Sequence, residues 1–252
     1  MATGESDSKL DWQIATVTAV HDESPRVKLF TLKFPEAAAK RGFFAGQYYD
    51  IRLTAPDGYQ AQRSYSITSS PDESDVIELA IELIEDGEVS SYFHEVVETG
   101  DPIELRGPIG GHFTWFPMLK RPVLFIAGGS GIAPIMSMLR HHRSSNSTAP
   151  ALLMFSVRTE EDILFREDLE KMSEGDDSFD LMITLTREAP KNWHGETRRI
   201  DQNMIDTALQ TLGETPDRAY ICGGTGFVEA IGNHLLDSGM GYDAIRTERF
   251  GP

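Results

Sequence analysis

The chain has 252 residues, 40% of them hydrophobic and 25% charged, enough for one large or two ordinary domains around a sizeable core. Its 40 acidic and 23 basic residues leave a net charge of −17, which argues against nucleic acid as a partner, because phosphate binding needs a basic footprint. The one cysteine, Cys222, excludes an internal disulfide, a four-cysteine iron–sulfur cluster and a cysteine-rich zinc site within the chain; the seven histidines show no metal-ligand spacing.

The first ten residues are polar and lack the apolar core of a signal peptide, so a frayed start and a cytoplasmic location are expected. From residue 12 to 105 the pattern is one of short strands. Ile14, Thr16, Thr18 and Val20 alternate with Ala15, Val17 and Ala19, and further strands are expected at 27–34, 48–53, 63–68, 76–84 and 102–106. Turn signals such as Asp57-Gly58 and Ser70-Pro71-Asp72 separate them. Six strands so spaced predict a closed antiparallel barrel of the Greek-key kind. One helix interrupts it at about 89–97, where Val89, Phe93, Val96 and Val97 fall at helical spacing. Arg26, Lys28, Lys33, Lys40 and Arg41 form a candidate basic patch on an otherwise acidic protein.

After Pro108 the rhythm changes. Strands at 123–127, 151–157, 179–185, 218–222 and about 244–248 alternate with helices at 132–142, 161–172, 202–209 and 227–237. That alternation predicts a doubly wound parallel sheet with helices on both faces. The expected organisation is a first domain over 10–116 and a second over 117–252, joined where Pro117 and Pro122 bracket a linker. The adjacent His141-His142 reads as a helix end.

Three glycine-bearing turns and one strand end concentrate the candidate chemistry. In the stretch Arg121–Arg140, a strand runs into Gly128-Gly129-Ser130-Gly131 and then into a helix carrying Ile132, Ile135, Met136 and Leu139 on one side. Pro134 falls in the first helical turn, where its missing N–H costs little. Glycines there let backbone N–H groups approach an anion at the helix N-terminus; a plain structural turn is the alternative. Gly and Pro interrupt the uncharged run, which excludes a membrane span. The pattern is GxGxxP, without a Walker lysine, and by itself does not identify a nucleotide site. Arg63-Ser64-Tyr65-Ser66 ends the fourth strand: an aromatic to cover a flat ring, an arginine to pair with phosphate, a serine to donate to a ring nitrogen, or else an ordinary strand with an outward arginine. Gly87-Glu88-Val89-Ser90-Ser91 opens the inserted helix, as a second phosphate site or a simple cap. Cys222-Gly223-Gly224-Thr225-Gly226 again ends a strand and opens a helix, so the sheet's carboxyl edge carries two glycine turns, where ligands bind; a buried structural cysteine is the alternative.

Taken together these segments resemble the ferredoxin–NADP reductase superfamily. RSYS matches its RxYS flavin motif, GGSGIAP its GGxGxxP nucleotide turn, CGGTGF its nicotinamide-side segment, and GPIGGHF the segment that ends the barrel; their order and spacing cover nearly the whole chain. The resemblance implies an enzyme that passes a hydride from NADPH, or NADH, to FAD and then electrons to a separate acceptor. Tyr65 would stack on the flavin ring and Ser66 lie near its reactive nitrogen. Arg63, Ser64 and the turn at Val89, Ser90 and Ser91 would hold the rest of FAD. Gly128, Gly129, Gly131 and Ile132 would take the nucleotide pyrophosphate, and Arg158, Thr186 and Arg187, with Arg198 as a further candidate, the 2′-phosphate. Cys222, Gly223 and Gly224 would border the nicotinamide. The ending Glu248-Arg249-Phe250-Gly251-Pro252 resembles the flavohaemoglobin branch, with Glu248 toward the nicotinamide and Phe250 over the flavin's other face. No fused acceptor module is visible. The expected acceptor is a ferredoxin or flavodoxin; a ferric chelate or other small molecule, or an oxygenase component, is the alternative. The oligomeric state is not legible.

Overall fold

The computed structural model describes residues 10–35, 42–73, 75–176 and 178–251, so residues 1–9, Lys40, Arg41 and Pro252 lie outside it. The first six strands are β1 (Gln13–Ser24), β2 (Val27–Lys33), β3 (Tyr48–Thr54), β4 (Gln60–Ser66), β5 (Val76–Glu82) and β6 (Pro102–Ile109). They pair antiparallel in the order β4-β3-β6-β1-β2-β5, the Greek-key arrangement expected. The sheet closes where β4 runs on: Ile67 bridges Leu79, and the Thr68 N–H donates to the Glu78 carbonyl at 2.8 Å. Alternation along each strand sends Phe30, Leu32, Ile51, Leu79, Ile81 and Leu105 inward. Each side chain so buried contributes about 1.5–3 kcal/mol. The inserted helix α1 (Glu88–Glu95) adds Val89 and Phe93 to that core; Phe93 meets Phe30 edge-on at 4.9 Å.

The second half contains β7 (Val123–Gly128), α2 (Ile132–Ser144), β8 (Ala151–Val157), α3 (Arg166–Gly175), β9 (Phe179–Leu185), α4 (Gln202–Leu212), β10 (Arg218–Gly224), α5 (Thr225–Asp237) and β11 (Ile245–Phe250). The strands are all parallel, in the order β11-β10-β7-β8-β9. β7 is buried on both faces, which is why it reads as a continuous apolar run: Val123, Phe125 and Ala127 face one core, Leu124 and Ile126 the other. The chain fills β7, β8 and β9 in one direction, then crosses back to β10. The strand order therefore reverses between β7 and β10, and a crevice opens there at the carboxyl edge. Among the described residues no helix is long and apolar enough to cross a membrane.

Several boundaries differ from the sequence expectation. The helix expected at 161–172 is two pieces: a short turn at Glu160–Asp162, closed by a Thr159–Asp162 capping box, and α3. Between them Ile163, Leu164 and Phe165 are all buried, and Ile163 leaves the helical conformation at φ −74°, ψ 99°. The chain turns instead through Phe165 at φ 55°, whose N–H is held by the Glu23 carboxylate of β1. The last strand starts after a short turn at Tyr242–Ala244 and runs to Phe250, two residues further than expected. Phe113 and Trp115, placed in the first domain by sequence, pack in the core that contains α2, and the Tyr220 hydroxyl donates to the Thr114 carbonyl at 2.8 Å.

Candidate active site

At the crevice the two glycine turns touch. Cys222 of β10 lies opposite Ala127 of β7. A Cβ on Gly131 would stand 2.3 Å from the Cys222 carbonyl oxygen, so that position admits only glycine, and one on Gly128 would press on the Phe227 ring at 3.0 Å. Gly129 takes φ 56°. The Ile132 N–H closes the turn on the Gly129 carbonyl. The helices α1, α2 and α5 begin after Gly87, Gly131 and Gly224 with no side-chain cap, whereas Asp201 caps α4 through the Met204 N–H. Uncapped N-termini leave N–H groups directed at an incoming anion.

The barrel contributes β4. Arg63 is exposed; its guanidinium meets the Gln62 carbonyl at 2.7 Å and, among the described residues, no carboxylate. Tyr65 is half-buried against the core, and burial pushes its phenol up to about 12. Ser66 is 3% exposed, yet its Oγ has no hydrogen-bond partner. Ser64 donates to Asp50 at 2.6 Å, and Asp50 also takes Arg106 at 2.6 Å, so Ser64 serves to brace β4 against β3 and β6. Tyr48, opposite Ser66 in the β3–β4 register, was not anticipated as part of the site. Burial raises its phenol pKa, and the Asp50 and Glu248 charges add to the shift.

The parallel sheet contributes β10 and β11, whose register pairs Cys222 with Glu248 and Gly224 with Phe250. Cys222 is fully buried. Burial pushes its thiol well above the ordinary value, and the Glu248 carboxylate pushes the same way. Glu248 is itself raised to about 7 by burial, and its Oε2 has no partner. Two of the three orphaned buried side-chain atoms among the described residues, Ser66 Oγ and Glu248 Oε2, thus belong to predicted site residues, one from each domain. Orphaned buried polar atoms are rare and call for a partner.

Some predicted residues take other roles. The Ser90 hydroxyl turns inward, accepting from the Ile84 N–H at 3.2 Å and donating to the Gly87 carbonyl at 3.2 Å, and the Ser91 N–H donates to the Gly87 carbonyl. Among the described residues the N–H groups of Val89 and Ser90 have no acceptor. Thr186 directs its hydroxyl to the Val157 carbonyl at 3.0 Å. Arg198 is paired with Glu196 at 2.6 Å and Asp201 at 2.8 Å, so it is not free for a phosphate. In the sequence-expected basic patch, Arg26 donates to the Leu83 carbonyl and Lys28 to the His94 carbonyl.

An Oxidoreductase FAD-binding domain family matches residues 14–115, and an Oxidoreductase NAD-binding domain family matches residues 125–233. Ferredoxin–NADP reductase B of Sorangium cellulosum is 36% identical over 213 residues, 83% of this chain and 85% of that protein. The chain belongs to the ferredoxin–NADP reductase family. The glycine betaine monooxygenase reductase subunit of Pseudomonas aeruginosa is 32% identical over 83% of the chain, which spans 57% of that longer protein. Among solved structures, a ferredoxin NADP+ reductase from Neisseria gonorrhoeae with bound FAD and NADP superposes with a TM-score of 0.79, at 24% identity over 96% of this chain and 99% of that one. This reductase-family chain is accordingly an oxidoreductase with FAD- and NAD(P)-binding domains. Its residues fit both groups: helix N-termini opened by glycine without a side-chain cap for phosphates, an exposed Arg63 that is in no ion pair among the described residues, and an orphaned Ser66 hydroxyl for a ring acceptor.

Proposed function

We propose that the chain is an NADPH-preferring reductase whose electrons leave to a separate carrier of the ferredoxin or flavodoxin kind. The pair Arg158 and Arg187 carries the nucleotide preference. They follow β8 and β9, and the Arg187 N–H donates to the Arg158 carbonyl at 3.0 Å, which holds the two residues side by side. Both are exposed, and among the described residues neither is in an ion pair, while nearby Arg198 is. Two free guanidinium groups at this edge suit a 2′-phosphate dianion.

The chemistry supplied by bound FAD is acceptance of a hydride from the nicotinamide and onward release of electrons. The chain's own residues bind, orient and shield. Arg63 and the N–H groups of Val89 and Ser90 hold the flavin phosphates, with the Ser91 hydroxyl beside them. Tyr65 covers the ring and the Ser66 Oγ–H donates to it. Gly128, Gly129 and Gly131 admit the nucleotide pyrophosphate to the turn. The Cys222 thiol stays protonated and positions the nicotinamide by contact at the mouth of β10, with Gly223 and Gly224 leaving room for it. The Glu248 carboxyl, raised to about 7 by burial and in register with Cys222, offers a hydrogen bond beside the same place while it is protonated. Phe250 shields the outer side. The proposed division between the two domains is at residues 116 and 117, with Phe113 and Trp115 reaching from the first domain into the α2 core.

The similarity over 85% of a named ferredoxin–NADP reductase supports the carrier. The similarity to a monooxygenase reductase subunit keeps an oxygenase component as the second reading. Anaerobic reduction by NADPH and by NADH, followed by mixing with ferredoxin, flavodoxin or ferric citrate, tests both parts. Faster reduction by NADH would overturn the nucleotide preference, and electron delivery to ferric citrate faster than to either protein would overturn the carrier.

A further inference from the structure

Helix α2 is buried along most of its length, yet Ser137, Arg140, His141 and Ser144 stand at i, i+3, i+4 and i+7 and share one face. That face meets residues 68–72, the segment that leaves β4 directly after Ser66. Ser137 Oγ donates to the Ser69 carbonyl at 2.7 Å and Arg140 Nη1 to the Thr68 carbonyl at 3.1 Å. Below them His141 Nδ1 lies 2.7 Å from Asp72 Oδ2, and the Ser144 and Ser70 hydroxyls are 3.2 Å apart. Arg140 is braced on both sides: Nη1 reaches Glu78 Oε1 of β5 at 2.7 Å, Nη2 reaches Asp168 Oδ2 of α3 at 2.9 Å, and the guanidinium lies 5.2 Å from the Phe165 ring centre. Glu78 Oε1 also accepts the Thr68 hydroxyl at 2.6 Å. The gripped backbone is closed to solvent: Thr68 is 0% and Ser69 1% exposed.

At its other end α2 starts from Gly131, packed on the Cys222 carbonyl. One rigid helix therefore contacts the carbonyl of Cys222 on the nicotinamide side and the two carbonyls that follow Ile67 on the flavin side. Elsewhere along this seam Val27, Leu29 and Ala80 of the barrel pack in the α2 core, and the Glu23 carboxylate of β1 holds the Phe165 N–H. Apolar packing resists separation but is non-directional, so it tolerates sliding. Charge-assisted bonds from a planar, doubly braced guanidinium do not.

We propose that Ser137 and Arg140 are positioning residues: they set the angle of the nucleotide domain on the barrel, and through it the approach of nicotinamide to flavin, while touching neither. The inference holds for either nucleotide and any acceptor. Its basis is that the hydride donor and acceptor sides come from different domains, so an ångström of slip at the seam appears in full at the reacting atoms.

The test uses the full-length, FAD-loaded protein and the variants Arg140→Met, Arg140→Lys and Ser137→Ala. Flavin content and NADP+ affinity should stay within about twofold of wild type, because the binding residues are untouched. Anaerobic stopped-flow reduction at saturating nucleotide should slow by roughly tenfold or more in Arg140→Met and by about threefold in Ser137→Ala, with Arg140→Lys intermediate. A second readout needs no turnover: without nucleotide, amide hydrogen exchange in residues 68–72 and 137–144 of Arg140→Met should quicken while β7, β8 and the barrel core keep wild-type protection. Wild-type reduction rates despite a loosened seam would overturn the proposal. So would exchange that quickens equally through both cores, which would make Arg140 a stability residue only. If Arg140→Met does not fold, wild-type rates in both milder variants overturn it.

Discussion

Replacing Glu248 by glutamine removes a carboxyl whose ionised form the fold disfavours. Burial raises its pKa from 4.5 to about 7, and among the described residues Oε2 has no hydrogen-bond partner. Between those values the native protein keeps a proton that the unfolded chain has released, so stability falls as pH rises; the loss is absent below about pH 4.5 and complete above about pH 7. At about 1.4 kcal/mol per pH unit across that window, the full penalty is about 3 kcal/mol, and partial solvent access brings the expectation to about 2–3 kcal/mol. Glutamine keeps the shape and cannot ionise. The stability of Glu248→Gln relative to wild type should therefore grow by about 2–3 kcal/mol between pH 5 and pH 8, or about 4–12 °C in Tm for a chain of this size. Urea unfolding of both proteins at pH 5, 6, 7 and 8, without added nucleotide, measures it. A difference that stays constant over that range would refute the reasoning, because it would mean that Glu248 ionises as freely in the fold as outside it.

Gly131→Ala forces a Cβ to 2.3 Å from the Cys222 carbonyl oxygen and 2.5 Å from its carbon, both backbone atoms that cannot rotate away. The turn must part from β10 at a cost of about 1–3 kcal/mol, seen as a lower Tm and weaker NADP+ binding by calorimetry; wild-type values of both would discount the close approach. Arg187→Ala should lose about 1.5–3 kcal/mol of NADPH binding, roughly ten- to 150-fold, with NADH little affected; equal losses would remove the 2′-phosphate assignment. Cys222→Ser should retain FAD but slow anaerobic flavin reduction roughly tenfold, since a buried hydroxyl draws a different hydrogen-bonding neighbourhood; an unchanged rate would take Cys222 out of the nicotinamide's surroundings.

Periodicity and turn chemistry are local, and they were readable. The apolar run 123–127, the glycines at 128–131 and the alternation along 151–157 each depend on neighbours a few residues away, so strand, turn and helix were predictable, and the motif order carried the two-domain plan. Other features depend on which distant segments meet. Arg140 is taken up by Glu78 of β5 and Asp168 of α3, and the Phe165 N–H by Glu23 of β1, all remote from them in sequence. His141 and His142 read as a helix end, yet one pairs with Asp72 of the barrel and the other with the Ala149 carbonyl. Ser66 and Glu248 are 182 positions apart in the numbering, and no pattern near either shows that each will present an orphaned polar atom. Residue types and their spacing determined the elements and the list of groups able to do chemistry. The tertiary structure alone decided which of those groups are desolvated and unpaired, because burial is a sum over everything packed nearby, most of it remote in sequence.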